Sequence, residues 1–218
     1  MNEYCQEILS QKQLDSLREA LNIGAGNAAT ALSQILQCMV SMTIPAVRYG
    51  TRSELASIVR DPAMTVTCVR TEIIGDLTGR LSFLVPDADR VRLLNLAAMA
   101  SPGWDSGEAA EDLSIVTEVG NILAGVYLTA IHELCGLRIY HTVPSLVQGT
   151  TQSLCDESAA TMYSEGQLLT VAETEFVIHE HHLRPFIVVM LSESDTRILV
   201  RSLRLQDLSE KKAGRAER

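Results

Sequence analysis

The pattern Asp-x3-Glu-x2-Asn-x22-Pro occurs twice in this chain of 218 residues. The first copy is Asp15, Glu19, Asn22 and Pro45. The second is Ser114, Glu118, Asn121 and Pro144, with the same spacing and a serine in place of the leading aspartate. The surroundings of each asparagine repeat as well: Leu21-Asn22-Ile23-Gly24-Ala25-Gly26 matches Gly120-Asn121-Ile122-Leu123-Ala124-Gly125. A repeat of this length marks two copies of one structural unit, so the chain is expected to form a pseudo-twofold domain. It also means two polar sites, one Glu and one Asn in each.

Hydrophobic periodicity supplies the elements. A first helix is expected to begin after Ser10, which forms a capping box with Gln13. Leu14, Leu17, Leu21, Ala25, Ala28, Leu32, Ile35 and Leu36 recur at helical spacing, and the helix should stop near Met39. Strands are expected at 65–74 and 80–85, with Gly75-Asp76-Leu77-Thr78-Gly79 as the turn between them. Pro86-Asp87 opens a second helix through Val91, Leu94, Ala97 and Ala98, which ends before Ser101-Pro102-Gly103. The second half repeats the order: a helix over 108–134 with Glu108, Glu111 and Asp112 near its start, a stop at Gly136, an extended piece over 138–144, strands at 168–178 and 186–191, and a last helix capped by Asp195. Residues 148–165 are polar and read as a loop. The expected fold is α/β of the α+β type. It has one six-stranded mixed sheet, two long helices side by side on one face and two shorter helices. The two repeats span about 10–100 and 108–205, and 206–218 reads as a flexible tail.

On a helix each residue advances about 100°, so Asp15, Glu19 and Asn22 fall within roughly 60° of one another. Ser114, Glu118 and Asn121 do the same. Each long helix therefore carries a narrow polar stripe that should face outward, beside an apolar face that should face inward. Taken alone, one Glu-x2-Asn is an ordinary solvated helix face; two copies with the same downstream proline are not. Gly24 and Gly26 have a different task. Glycine inside a helix costs about 1 kcal/mol relative to alanine, so this pair marks a seam where another helix or the sheet comes close to the backbone.

Composition removes several function classes. The net charge is −9 and the pI about 5.0, with one Trp, three Phe and five Tyr, which argues against a phosphate-seeking or base-stacking surface. The five cysteines are scattered without a Cys-x2-Cys pair, so neither a disulfide framework nor a zinc site is expected. Cys38 and Cys135 read as small core residues at helix ends, and Cys5 as a mobile thiol. No apolar run reads as a transmembrane span, and the first residues do not resemble a secretory signal, so a cytoplasmic protein is expected. Neither stripe is accompanied by a Ser-His-Asp or Cys-His arrangement, and no Gly-rich loop carries a phosphate-binding Lys. The cluster His179, His181 and His182 is better placed in an exposed turn than around a metal. His132 lies near the end of the second long helix, where it suits the negative end of the dipole. Trp104 reads as a loop anchor.

What a Glu and an Asn on one outward face can do is grip a cation on a partner and hold a water in a chosen orientation. With these residues and this spacing the chain resembles the CheC family of chemotaxis phosphatases, whose relatives include CheX and the flagellar-switch protein FliY. The resemblance runs from about residue 10 to 205, and two complete motifs look more like CheC than like CheX. It implies a phosphatase that removes the aspartyl phosphate of the response regulator CheY. Asn22 and Asn121 would each orient the attacking water, and Glu19 and Glu118 would pair with the CheY active-site lysine. Asp15, Ser114, Pro45 and Pro144 would support the motif. The chain itself would bind no cofactor, the Mg²⁺ residing on CheY. The deamidase CheD is a further expected partner of the family. The alternatives are a non-catalytic adaptor that docks CheD or CheY on the same helices, and a flagellar-switch component. Loss of one such positioned group is worth about 3–4 kcal/mol of barrier in comparable preorganised sites.

Overall fold

The fold comes from a computed structural model that describes residues 9–43, 45–51, 54, 61–100 and 109–203. Cys5, Trp104, Glu108, the Ser101-Pro102-Gly103 stop, the tail 206–218 and the side chains of Glu111 and Asp112 lie outside the described residues.

The first long helix, α1 (Gln11–Leu36), starts where its capping pair requires. Gln13 Oε1 reaches back and accepts the Ser10 backbone N–H at 2.9 Å. Leu17, Leu21, Ala25, Ala28 and Leu32 are buried along one side. Each buried leucine contributes about 1.5–3 kcal/mol. The helix ends three residues before Met39, because Gln37 turns into the left-handed region (φ 51°) and Cys38 N–H bonds back to Ser33 O at 3.3 Å. After it come β1 (Ser41–Met42), β2 (Ala46–Thr51), β3 (Thr65–Gly75), β4 (Gly79–Pro86) and α2 (Asp87–Ala100). The second half supplies α3 (Ala109–Cys135), β5 (Ile139–His141), β6 (Ser145–Thr150), α4 (Thr151–Met162), β7 (Leu168–Val177) and β8 (Phe186–Ser192). Residues 193–203 form a further helix, α5.

The strands form one sheet in the order β1-β7-β8-β4-β3-β5, with β2 also on β7 and β6 also on β3. Eight strands are thus described where six were expected. The extra two arise because the extended piece after each long helix is broken into two short strands. Among the described residues every ladder is antiparallel, so the sheet they form is not mixed. Symmetry gives the reason. Equivalent strands related by a twofold axis normal to a sheet must run in opposite directions, and β4 and β8 meet in that way about the Ser82–Val188 pair.

The two halves exchange their outer strands. β1 and β2 of the first half pair with β7 of the second, while β5 and β6 of the second pair with β3 of the first. The registers repeat. Ser41 lies opposite Val177 as Tyr140 lies opposite Ile74, and Ala46 opposite Glu173 as Ser145 opposite Arg70. Between each pair of short strands the register slips by one residue: from Met42 opposite Phe176 to Ala46 opposite Glu173, as from His141 opposite Ile73 to Ser145 opposite Arg70. This is a β-bulge, and Pro45 and Pro144 are its last residues. Proline has no N–H to give a ladder, so it is tolerated where pairing is interrupted. Thr43 and Thr142 hold the bulges, their N–H groups donating to Glu175 O at 2.9 Å and Glu72 O at 3.0 Å.

The long helices α1 and α3 pack together on one face of this sheet. Gly24 is their seam: a Cβ there would stand 3.2 Å from the ring of Tyr127 on α3. Gly120 is the corresponding seam to the sheet, where a Cβ would come within 2.6 Å of Val69. By length and composition residues Leu113–Cys135 could cross a bilayer. Here Val116, Val119, Leu123, Tyr127 and Leu128 are instead buried in the core, against the sheet and α1. Gly136 ends α3 with φ +68°, its N–H donating to His132 O at 2.8 Å. The His132 ring approaches Leu137 O through Nδ1 at 2.6 Å.

Three other expectations are corrected. Residues 148–165 are not a loop: they hold the end of β6 and the helix α4. Thr150 caps α4 by accepting Ser153 N–H at 3.2 Å. Leu154, Cys155, Ser158 and Ala159 are buried against the opposite face of the sheet. Small and polar residues on this helix hid its period. Val91 of α2 is exposed, and Leu93, Leu94 and Ala97 form the inner side. Asp195 does not cap α5, which begins two residues before it. Ser192 Oγ is the cap and accepts Asp195 N–H at 3.0 Å. The Asp195 carboxylate instead accepts Thr78 N–H and Oγ1–H at 3.0 and 3.1 Å and anchors the β3–β4 turn.

Candidate functional site

Both polar stripes lie on the outer side of the helix pair. Asp15, Glu19 and Asn22 are exposed on α1; Ser114 and Glu118 are exposed on α3, and Asn121 is half-buried. The same residues that create the core create the stripe. Leu17, Leu21 and Ala25 turn inward, which leaves 15, 19 and 22 facing out. Asp15 accepts a hydrogen bond from Gln11 Nε2 at 2.9 Å, so its carboxylate steadies the first turns of α1. Among the described residues, no side-chain hydrogen bond or ion pair engages Glu19, Asn22, Glu118 or Asn121. Two carboxylate–amide pairs are therefore presented with their donors and acceptors open to solvent or to a partner.

The sequence pattern did not show what flanks them. One helical turn beyond each asparagine is a glycine, Gly26 or Gly125, and a strand residue covers it. Met42 Cε lies 3.9 Å from the Cβ position of Gly26, and His141 Nε2 lies 3.4 Å from that of Gly125. Met42 and His141 are equivalent under the repeat, each three residues before the bulge proline. Shifting the second motif onto the first would have paired them. On the first side the stripe continues into an open groove of about 680 Å³ between α1 and β1, lined in part by Gly26, Thr30, Ser33, Met39 and Met42. Of the motif prolines, Pro45 is buried and Pro144 half-buried. They set the bulge that carries Met42 and His141 across the helices.

The remaining candidates are placed elsewhere. His179–His181 form a short 3₁₀ turn between β7 and β8, with His179 and His182 exposed. Among the described residues, no group of three or more His, Cys, Asp or Glu side chains is arranged to hold a metal ion. Cys68 and Cys155 are buried together under α4, and burial pushes both thiols up to about 12. They are protonated core residues. Cys135 is buried as well, and Cys38 half-buried just past the end of α1.

Comparison with known proteins sorts this geometry. The sequence profile of the CheC-like family matches residues 13–49 and 111–147, the two segments that hold the motifs. The CheY-P phosphatase CheC of Bacillus subtilis (strain 168) is 30% identical over 176 residues, which are 79% of this chain and 84% of that protein. The chain belongs to the CheC-like family. Solved structures agree on the fold. FliY of Thermotoga maritima matches with a TM-score of 0.72 at 22% identity, over 91% of this chain and 98% of its own. CheX from Borrelia burgdorferi, solved as a complex of CheX, CheY, BeF₃ and Mg²⁺, matches with a TM-score of 0.50 at 16% identity, over 78% of this chain and 94% of its own.

Proposed function

We propose that this CheC-like protein accelerates loss of the aspartyl phosphate from a phosphorylated CheY-type response regulator, and that it does so at two sites. The observation that carries the reading is the pair of equivalent stripes. Each offers an open carboxylate and an open amide on an outer helix face, in a chain related to a CheY-P phosphatase over most of its length.

The chemistry follows from what those groups can do. The regulator contributes the phosphoryl group, its Mg²⁺ and a lysine. Glu19 or Glu118 pairs with that lysine and fixes the docking register. Asn22 or Asn121 enters the regulator's site, where its amide oxygen accepts a hydrogen from a water and aims the oxygen lone pair at phosphorus. The water oxygen forms the new P–O bond. The bond to the aspartyl oxygen breaks, and inorganic phosphate and a free carboxylate remain. This is catalysis by positioning, with no covalent intermediate on this chain. A cytoplasmic site of action follows from such a partner. The deamidase CheD is a second candidate partner for the same protein.

The test is phosphate release from a phosphorylated response regulator of the same cell. Wild-type protein is expected to accelerate it. The double variant Asn22→Ala/Asn121→Ala is expected to lose the acceleration, at about 3–4 kcal/mol per site, while still binding the regulator. Glu19→Ala and Glu118→Ala should weaken binding as well as turnover. Full turnover by the double asparagine variant contradicts the assigned roles, and binding without turnover by the wild type points to an adaptor.

A further inference from the structure

We propose that the cleft between β3, β4 and the β5–β6 bulge binds a small oxyanion, and that inorganic phosphate is a ligand it takes. The inference stands on this cleft alone and does not depend on what the two stripes do. The cleft has a volume of about 190 Å³ and is lined in part by Arg70, Glu72, Arg80, Thr142 and Ser145. Its arginines point to the sheet face away from the stripes, where Arg70 meets Glu157 and Arg80 meets Thr161, both of α4.

Burial is what makes these arginines unusual. The side chains of Arg70 and Arg80 are 18% and 7% exposed. A guanidinium taken out of water is costly unless its N–H donors are matched. Here the matching is incomplete. Arg70 donates from Nε to Ser145 Oγ at 3.4 Å and from Nη2 to Glu157 at 2.9 Å. Arg80 donates from Nη1 to Thr161 Oγ1 at 3.3 Å and from Nη2 to Glu72 at 3.2 Å. Among the described residues nothing accepts from Arg70 Nη1 or Arg80 Nε, although both atoms are buried. The fold does not demand this arrangement. The pseudo-twofold that pairs Ser82 with Val188 puts Phe186 where Arg80 stands, and it puts Glu173 where Arg70 stands. Phe186 is buried in an apolar cluster there, so one repeat closes with a ring the place that the other gives to a charge.

The neighbouring carboxylates do not complete the site. Glu72 and Glu157 are 54% and 50% exposed, so solvent screens them far more than it screens the buried guanidiniums. The inner wall of the cleft is therefore cationic and rich in donors, while its negative charges sit at the rim. Ser145 Oγ accepts from Arg70 and keeps its own O–H to give. An oxyanion offers several acceptor oxygens at once, and guanidinium forks suit such a group. Inorganic phosphate is small enough for the cleft and is also the product of the reaction proposed above.

The test is a titration of the full-length protein with inorganic phosphate, exchanged against chloride at constant ionic strength and read on the arginine Nε–H resonances. The Arg70 and Arg80 signals are expected to shift together and saturate, while those of the exposed Arg48 and Arg201 stay in place. An equal, unsaturated drift of all four means an adventitious ion only and overturns the proposal. Arg80→Phe installs the side chain that the other repeat uses at this place, and it is expected to weaken phosphate binding at least about tenfold, the worth of a charge-assisted hydrogen bond. A folded Arg80→Phe protein that binds as well as the wild type overturns the assignment. Glu72→Gln probes the site without touching its arginines. The amide still offers Arg80 Nη2 an acceptor but no longer repels an anion, so phosphate affinity is expected to rise about three- to tenfold. Arginines that merely brace α4 would give neither a saturable shift in the wild type nor a gain from Glu72→Gln, and either failure refutes the site whether or not Arg80→Phe folds.

Discussion

At the scale of single residues, the helix glycines separate structure from function. Gly120 has no room for a methyl group, because Val69 Cβ and Cγ1 lie 2.6 Å from where it would go and both belong to a sheet that cannot retreat. Gly120→Ala is expected to destabilise the fold by about 1–3 kcal/mol, read as a lower urea midpoint. Gly24→Ala should cost less, since its nearest neighbour is the Tyr127 ring edge at 3.2 Å. The reverse ranking would mean that the α1–α3 seam is tighter than the seam between α3 and the sheet. The same residues show what the sequence made legible. Glu19, Asn22, Glu118 and Asn121 stand out because spacing and outward angle depend only on helix geometry. Met42 and His141 do not, because their place over Gly26 and Gly125 depends on a bulge that no local pattern announces.

At the scale of elements, the long helices, both hairpins and the α3 stop at Gly136 follow directly from period and punctuation. Helix α4 does not. Its inner side is Leu154, Cys155, Ser158 and Ala159, of which only one is a large hydrophobe, so its periodicity is faint. Tertiary contacts hold it: Glu157 meets Arg70 at 2.9 Å, Thr161 accepts from Arg80 Nη1 at 3.3 Å, and the apolar side covers Val66, Cys68 and Leu84. Leu154→Ala is expected to cost about 2–4 kcal/mol through the cavity it leaves. Because α4 lies on the face away from both stripes, turnover per folded molecule should be unchanged. A loss of turnover larger than the loss of folded protein would show that α4 contributes to the sites.

At the scale of the whole molecule, the exchange of outer strands makes the two repeats interdependent. Each hairpin has an edge that only the other repeat covers, and α1 and α3 share their apolar faces. Separate fragments 1–105 and 106–218 are therefore expected not to fold as monomers, since each would leave a bare sheet edge and an uncovered helix face. Sedimentation together with amide dispersion checks this, and a compact, well-dispersed monomer from either fragment would contradict it. The same interlocking holds both stripes on one face of one sheet, and the proposed reading gives each its own regulator. The most direct test of that two-site account is the rate of phosphate release from one phosphorylated response regulator with the wild type, Asn22→Ala, Asn121→Ala and the double variant. The account predicts that each single variant stays active, that the two single rates add up to about the wild-type rate, and that the double variant falls to the uncatalysed rate. A single substitution that abolishes all activity, or a double variant that keeps it, would contradict the account.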